Sequence, residues 1–111
     1  MIYTSYFGSR KWQMYDAVSI ARYTPKWFTG KTASKLYPPG DILDDYKNHR
    51  ISEEEYAIRY RKDVLSKLNP NKVYTILDDK VLLCYEKSGE FCHRHLVADW
   101  LREYGYEVRE L

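Results

Sequence analysis

Between Val81 and Trp100 the chain changes its hydrophobic period once, and that change constrains the fold more than any other feature. Val81-Leu82-Leu83-Cys84 is a continuous apolar, β-prone run, which suits a strand covered on both faces. A polar loop with Ser88 and Gly89 follows. From Cys92 the spacing becomes helical, and Leu96, Val97, Trp100, Leu101 and Tyr104 fall on one face. Gly105 is predicted to end that helix as its C′ residue. Tyr106 and Val108, with Leu111, then alternate as a final strand. Strand, helix and strand with short connections predict a right-handed parallel crossover. Open α/β sheets bind ligands beyond the C-terminal ends of their strands. Here that end gathers Cys84, Glu86, Cys92, His93 and Arg94.

The remainder supplies more strands and helices. Ile2–Tyr6 and Ala17–Ile20 read as short strands, and Lys31 to Gly40 as loop. Asp41 is expected to cap a short helical turn through Ile42, Leu43 and Tyr46. Ser52 and Glu55 form a capping box for a stronger helix, with Ala57, Tyr60, Val64 and Leu68 on one stripe. Asn69-Pro70 stops it. Two readings remain for Val73 to Leu77: a helix with Asn69 as cap and Pro70 at its first position, or a strand. With no repeat and no low-complexity linker, the expected architecture is a single α/β domain over 1–111. It is a small three-layer sandwich with a mostly parallel, Rossmann-like sheet.

A chain of 111 residues can bury one core, and 44% hydrophobic residues argue against disorder. A net charge of +2 is too small to mark a nucleic-acid binder by itself. The basic residues are uneven, however: Arg10, Lys11, Arg22, Lys26, Lys31 and Lys35 precede Asp41, with Asp16 as the only acid among them. They form either a solvated loop or a phosphate-facing rim. The 12 tyrosines are core packing or a surface for stacking bases. The N-terminus lacks the basic and apolar regions of a secretory signal, and no apolar run approaches the roughly 18 residues of a membrane span. The expectation is a cytoplasmic protein with reduced thiols and no membrane partner. A Cys84–Cys92 disulfide is sterically open across the turn and would be regulatory or accidental there.

Leu83-Cys84-Tyr85-Glu86, followed by Cys92-His93-Arg94 and an amphipathic helix, resembles the signature of the bacterial and phage family known as domain of unknown function 488. Ile2-Tyr3-Thr4-Ser5-Tyr6 resembles that family's first strand. Pro25-Lys26-Trp27-Phe28 and Ile51-Ser52-Glu53-Glu54-Glu55-Tyr56 resemble its middle segment. The resemblance implies a fold and a site, since the family has no settled activity. It also implies that residues after the second strand lie near the Cys-His-Arg loop. Ser19-Ile20-Ala21-Arg22 departs from the family's acidic D-x-R form, so a shared acid–base mechanism does not carry over directly.

Each residue of the cluster has a packing reading and a chemical one. Cys84 is a small buried hydrophobe, or a nucleophile or ligand contact under the loop. Cys92 is a packing or capping residue, or the more reactive thiol, because a helix N-terminus favours a thiolate. His93 falls on the apolar stripe, as a satisfied core histidine or as an acid–base group. His95 falls on the polar face and is expected to be solvated. Arg94 is paired with Glu86, or clamps an anionic ligand. Tyr6, Arg22 and Trp27 are expected to join Cys92, His93 and Arg94 in a cationic pocket with aromatic walls. No metal is assigned, although His49 could join Cys84, Cys92 and His93; the C-x7-C-H spacing is not that of ribbons or fingers. Phosphate-loop and dinucleotide fingerprints are absent, so no cofactor is named. The function expected is binding of a nucleotide or nucleic-acid component, with Cys92 and His93 doing chemistry there. The rivals are a non-catalytic nucleic-acid or nucleotide-signal module, and a host-directed interaction protein contacting partners through Tyr3, Trp12 and Trp27.

Overall fold

The computed structural model describes residues 1–111. Its elements are β1 (Ile2–Tyr6), β2 (Asp16–Ser19), β3 (Lys31–Thr32), α1 (Gly40–Lys47), α2 (Glu53–Asp63), α3 (Pro70–Leu77), β4 (Lys80–Cys84), α4 (His93–Glu103) and β5 (Val108–Glu110). The five strands form one sheet in the order β3-β2-β4-β1-β5. Every pairing is parallel, so the sheet is wholly rather than mostly parallel.

Topology explains the layers. Along that strand order, β3→β4 and β4→β5 run one way, while β1→β2 and β2→β3 run the other. Right-handed crossovers therefore put the two sets of connections on opposite faces. The first set carries all four helices. Their buried residues, among them Ile42, Tyr60, Leu77, Val97 and Leu101, pack with Ile2, Val18 and Leu82 of the sheet. The second set carries no helix. Its loops cover the other face with Trp12 and Phe28, packed on Phe7, Val81 and Leu83. The third layer of this α/β fold is thus made of aromatic loops. Leu82 faces the helices while Val81 and Leu83 face the loops, which is why this strand reads as unbroken apolar sequence.

Several boundaries differ from expectation for identifiable reasons. α1 begins at Gly40, with Pro39 at its cap and Asp41 already in its first turn. The Ser52 hydroxyl accepts from the Glu55 amide as expected, but α2 ends at Asp63 and a 3-10 turn over Leu65–Lys67 follows. Leu68 therefore packs from beyond the helix, and the buried stripe is Tyr56 and Tyr60 rather than Ala57. Residues 73–77 are helical, with the Asn69 side chain capping the amides of Asn71 and Lys72. β3 was hidden in sequence because it is two exposed residues, Lys31 and Thr32, held by parallel pairing to β2. Gly105 sits at φ 87° and closes α4 as predicted. No helix is long and apolar enough to cross a membrane.

Candidate functional site

Three elements end together at the C-terminal edge of the sheet. β4 delivers Cys84, the residue after β2 delivers the Ile20 carbonyl, and the start of α4 delivers Cys92, His93 and Arg94. β4 lies between β2 and β1. The chain leaves β2 and β4 in opposite directions along the sheet, the arrangement that opens a crevice in parallel α/β folds.

Cys84 and Cys92 are joined as a disulfide rather than held as the reduced thiols expected, with Cα atoms 7.3 Å apart and a sequence separation of 8. Cys92 is the N-cap of α4, and its side chain makes no capping bond. His93 is buried beside them. Its Nε2 lies 2.7 Å from the Ile20 carbonyl oxygen, while its Nδ1 lies 3.8 Å from Cys92 Sγ. A carbonyl only accepts, so Nε2 carries the proton and, in the neutral ring, Nδ1 presents a lone pair to the sulfurs. Burial lowers the His93 pKa to about 4, and Arg94 adds to the shift, against the Ile20 bond that raises it. The ring is therefore neutral at ordinary pH and weakly basic.

Arg94 is wholly buried. Its partner is Glu110 of β5, not the Glu86 carboxylate: Nη2 lies 2.8 Å and Nε 3.1 Å from the two Glu110 oxygens. Glu86 contributes its backbone carbonyl, which accepts from Nη1 at 2.6 Å. The same Nη1 lies 3.0 Å from Cys84 Sγ. Glu110 also accepts from Thr4 and Ser88. Burial alone would raise its pKa; the bonds from Arg94, Thr4 and Ser88 prevail and hold it at about 2.

A cleft of about 380 Å³ opens over this cluster. Cys84, Cys92 and His93 line it, with Tyr23, Tyr46, Tyr56, Tyr85 and Phe91 as aromatic walls and Arg22, Lys47 and Glu86 also lining it. Burial, with Glu86 adding to it, raises the Tyr56 pKa, so that hydroxyl stays protonated. The Tyr85 hydroxyl donates to the Tyr23 carbonyl, tying one wall to the loop after β2.

The structure brings together Cys84, Cys92, His93, Glu86 and Arg22 of the residues singled out in sequence. It separates the others. Arg94 lies behind the cysteines, and Tyr6 packs under it with the guanidinium carbon 6.0 Å from the ring centre. Trp27 belongs to the opposite face, edge-on to Phe7 and Phe28. His49 is exposed on the turn after α1 and is no part of the three-residue cluster. His95 is half-buried rather than solvated, and its Nε2 is enclosed without a protein partner. The walls Tyr46, Tyr56 and Phe91 were missed. Tyr46 was legible only as an apolar position of a short helical turn, Tyr56 only within the segment resembling the family's middle part, and Phe91 only as the residue before Cys92.

Fold and site together define a parallel α/β domain with a cysteine–histidine cluster at its strand ends. A family model described as the active DUF488-N3 subclade matches residues 13–105, and the chain belongs to the DUF488 family. No curated protein and no solved structure matches the chain.

Proposed function

We propose that the cleft binds an anionic, nucleotide-like ligand, with reactive sulfur at its floor. The observation that carries this reading is the coincidence of the two: the aromatic walls with Arg22 and Lys47 stand over Cys84, Cys92 and His93. The cleft volume falls within the range of small-molecule sites. Tyrosine and phenylalanine faces stack on a planar base, and a guanidinium or ammonium group holds a phosphate. Buried Arg94 has no part in holding that anion; Arg22 and Lys47, both exposed, take the role.

The chemistry at the floor falls to Cys84 first. In the reduced chain its sulfur has a guanidinium N–H 3.0 Å away, which favours the thiolate. Cys92 faces the His93 lone pair, but a ring with a pKa of about 4 is a poor acceptor for a thiol proton. The protein is on these grounds a ligand-binding domain with a thiolate in reach of the ligand.

The test is equilibrium binding of nucleoside mono-, di- and triphosphates to the full chain. Saturable binding should weaken roughly tenfold or more in Arg22→Ala, in line with about 1.5–3 kcal/mol for a charge-assisted bond. Absence of binding to every nucleotide at millimolar concentration would overturn the reading.

A further inference from the structure

We infer that, when Cys84 and Cys92 are reduced, the floor of the cleft is a metal site for a zinc-like divalent ion. Cys84, Cys92 and His93 are its ligands. Their ligand atoms, two sulfurs and a ring nitrogen, lie within 4.8 Å of one another, and all three residues are buried. The C-x7-C-H spacing is not that of zinc ribbons or fingers; the end of β4 and the start of α4 bring the donors together.

Four features of the geometry match what a metal requires. First, the histidine is set in the right tautomer. A metal-ligating histidine gives its other ring N–H to a carboxylate or backbone carbonyl. His93 Nε2 does this to the Ile20 carbonyl at 2.7 Å, leaving Nδ1 turned to the sulfurs. Second, the distances fit. Zinc–sulfur and zinc–nitrogen bonds at tetrahedral angles put the two donor atoms about 3.6 Å apart. Cys92 Sγ and His93 Nδ1 are 3.8 Å apart. Third, the cysteine Cα atoms are 7.3 Å apart. Disulfides ordinarily span roughly 4.4–6.8 Å, so the backbone leaves room for the two sulfurs to part around an ion. Fourth, charge is balanced. Two thiolates offset the dication, and Arg94, which donates to Cys84 Sγ, is itself offset by Glu110.

All three donor residues line the cleft. The fourth position of a tetrahedral ion would face that cleft, open to water or to a ligand atom. Three protein ligands with one open position is the pattern of reactive rather than purely structural zinc. The ion's own binding stands without the ligand; only the use of the open position rests on the nucleotide reading. Loading balances simply. A phosphine or dithiol reductant supplies the two electrons that break the S–S bond. The two thiols then give up two protons as the dication binds. A two-electron oxidant such as hydrogen peroxide re-forms the S–S bond and expels the ion, the peroxide taking up two protons and leaving as two waters.

The test uses the full chain, reduced with a phosphine under anaerobic conditions and titrated with Co²⁺ and then Zn²⁺, with no nucleotide present. One equivalent should bind. Cobalt should show thiolate charge-transfer absorption and the intense d–d bands of a tetrahedral site, and zinc should bleach both. Cys84→Ser and Cys92→Ser should each lose about half of the charge-transfer intensity per bound cobalt, or lose binding altogether, and the double variant should show none. His93→Gln should weaken binding roughly tenfold or more, and His49→Gln should change nothing. Should a variant fail to fold, the wild type decides alone: bound zinc should protect both thiols from alkylation. Sub-stoichiometric cobalt uptake by fully reduced protein, or alkylation indifferent to zinc, would overturn the inference. Cobalt binding without nucleotide binding would sink the ligand reading and leave the metal site standing.

Discussion

Arg94 at the start of α4 and Glu110 near the end of β5 form an ion pair whose guanidinium is fully buried and whose carboxylate is a quarter exposed. A cation at a helix N-terminus opposes the helix dipole, so its placement needs compensation. Glu110 supplies that charge, and the Glu86 carbonyl and Cys84 sulfur take a remaining N–H. The pair fastens the last strand to the cleft, and it links that strand to the position of Cys84.

Removing one partner of such a pair leaves a buried charge without its counterion. Glu110→Ala should therefore destabilise the chain on the order of 3 kcal/mol. Denaturant unfolding of variant and wild type measures it. A change within about 0.5 kcal/mol, the usual surface value, would show that Arg94 finds water or another anion.

The same carboxylate predicts a pH window. Its folded pKa is about 2, below the ordinary 4.5. A depressed carboxylate pKa means the stabilisation is fully present above the unfolded value and is lost as pH falls through the folded one. The stability gap between wild type and Glu110→Gln should thus be constant above about pH 5 and narrow steadily toward pH 2. Thermal melts of the two proteins across that range check it. A gap that stays flat down to pH 2 would mean the bonds to Glu110 do not favour its charged form.

Much of this architecture is legible in the sequence. The strand ending in Cys84 and the helix opening at Cys92 are marked by a change of period, and they meet where parallel strands should bring them. The pairing of Arg94 is not legible, because Glu86 and Glu110 are both plausible partners in a one-dimensional reading. Only the β1–β5 pairing decides between them, by bringing Glu110 beside Thr4. Trp27 misleads for a similar reason. It follows a strand and is aromatic, but the β2→β3 connection runs back over the face without helices. His93 was legible as buried from its stripe. Its acceptor, the Ile20 carbonyl, was not, since a backbone group carries no sequence signal.

Tyr60 anchors the wall of the cleft from beneath. It is fully buried, and its hydroxyl donates to the Leu36 carbonyl at 2.6 Å. Its ring lies 6.3 Å from Tyr56, which lines the cleft, and 5.7 Å from His93. Tyr60→Phe keeps the ring and strands a buried carbonyl, so it should cost about 1–2 kcal/mol. Unfolding experiments should show that loss while the fold survives. A neutral result would mean that water replaces the hydroxyl.

Reduction of the Cys84–Cys92 bond bears on both the stability of the chain and the reactivity of its thiols. The Cys84–Cys92 bond closes a short loop, with a sequence separation of 8. Chain-entropy arguments for a loop of that length give about 2–3 kcal/mol. The reduced chain recovers part of this if Arg94 stabilises the Cys84 thiolate, since Nη1 already points at that sulfur. Reduction should therefore lower the unfolding free energy by less than about 2.5 kcal/mol and leave the chain folded. In the reduced chain, alkylation near neutral pH should mark Cys84 before Cys92. Peptide mapping after a brief exposure to iodoacetamide reads both rates. Faster labelling of Cys92 would show that the helix N-terminus outweighs the guanidinium, and would return the nucleophile's role to Cys92.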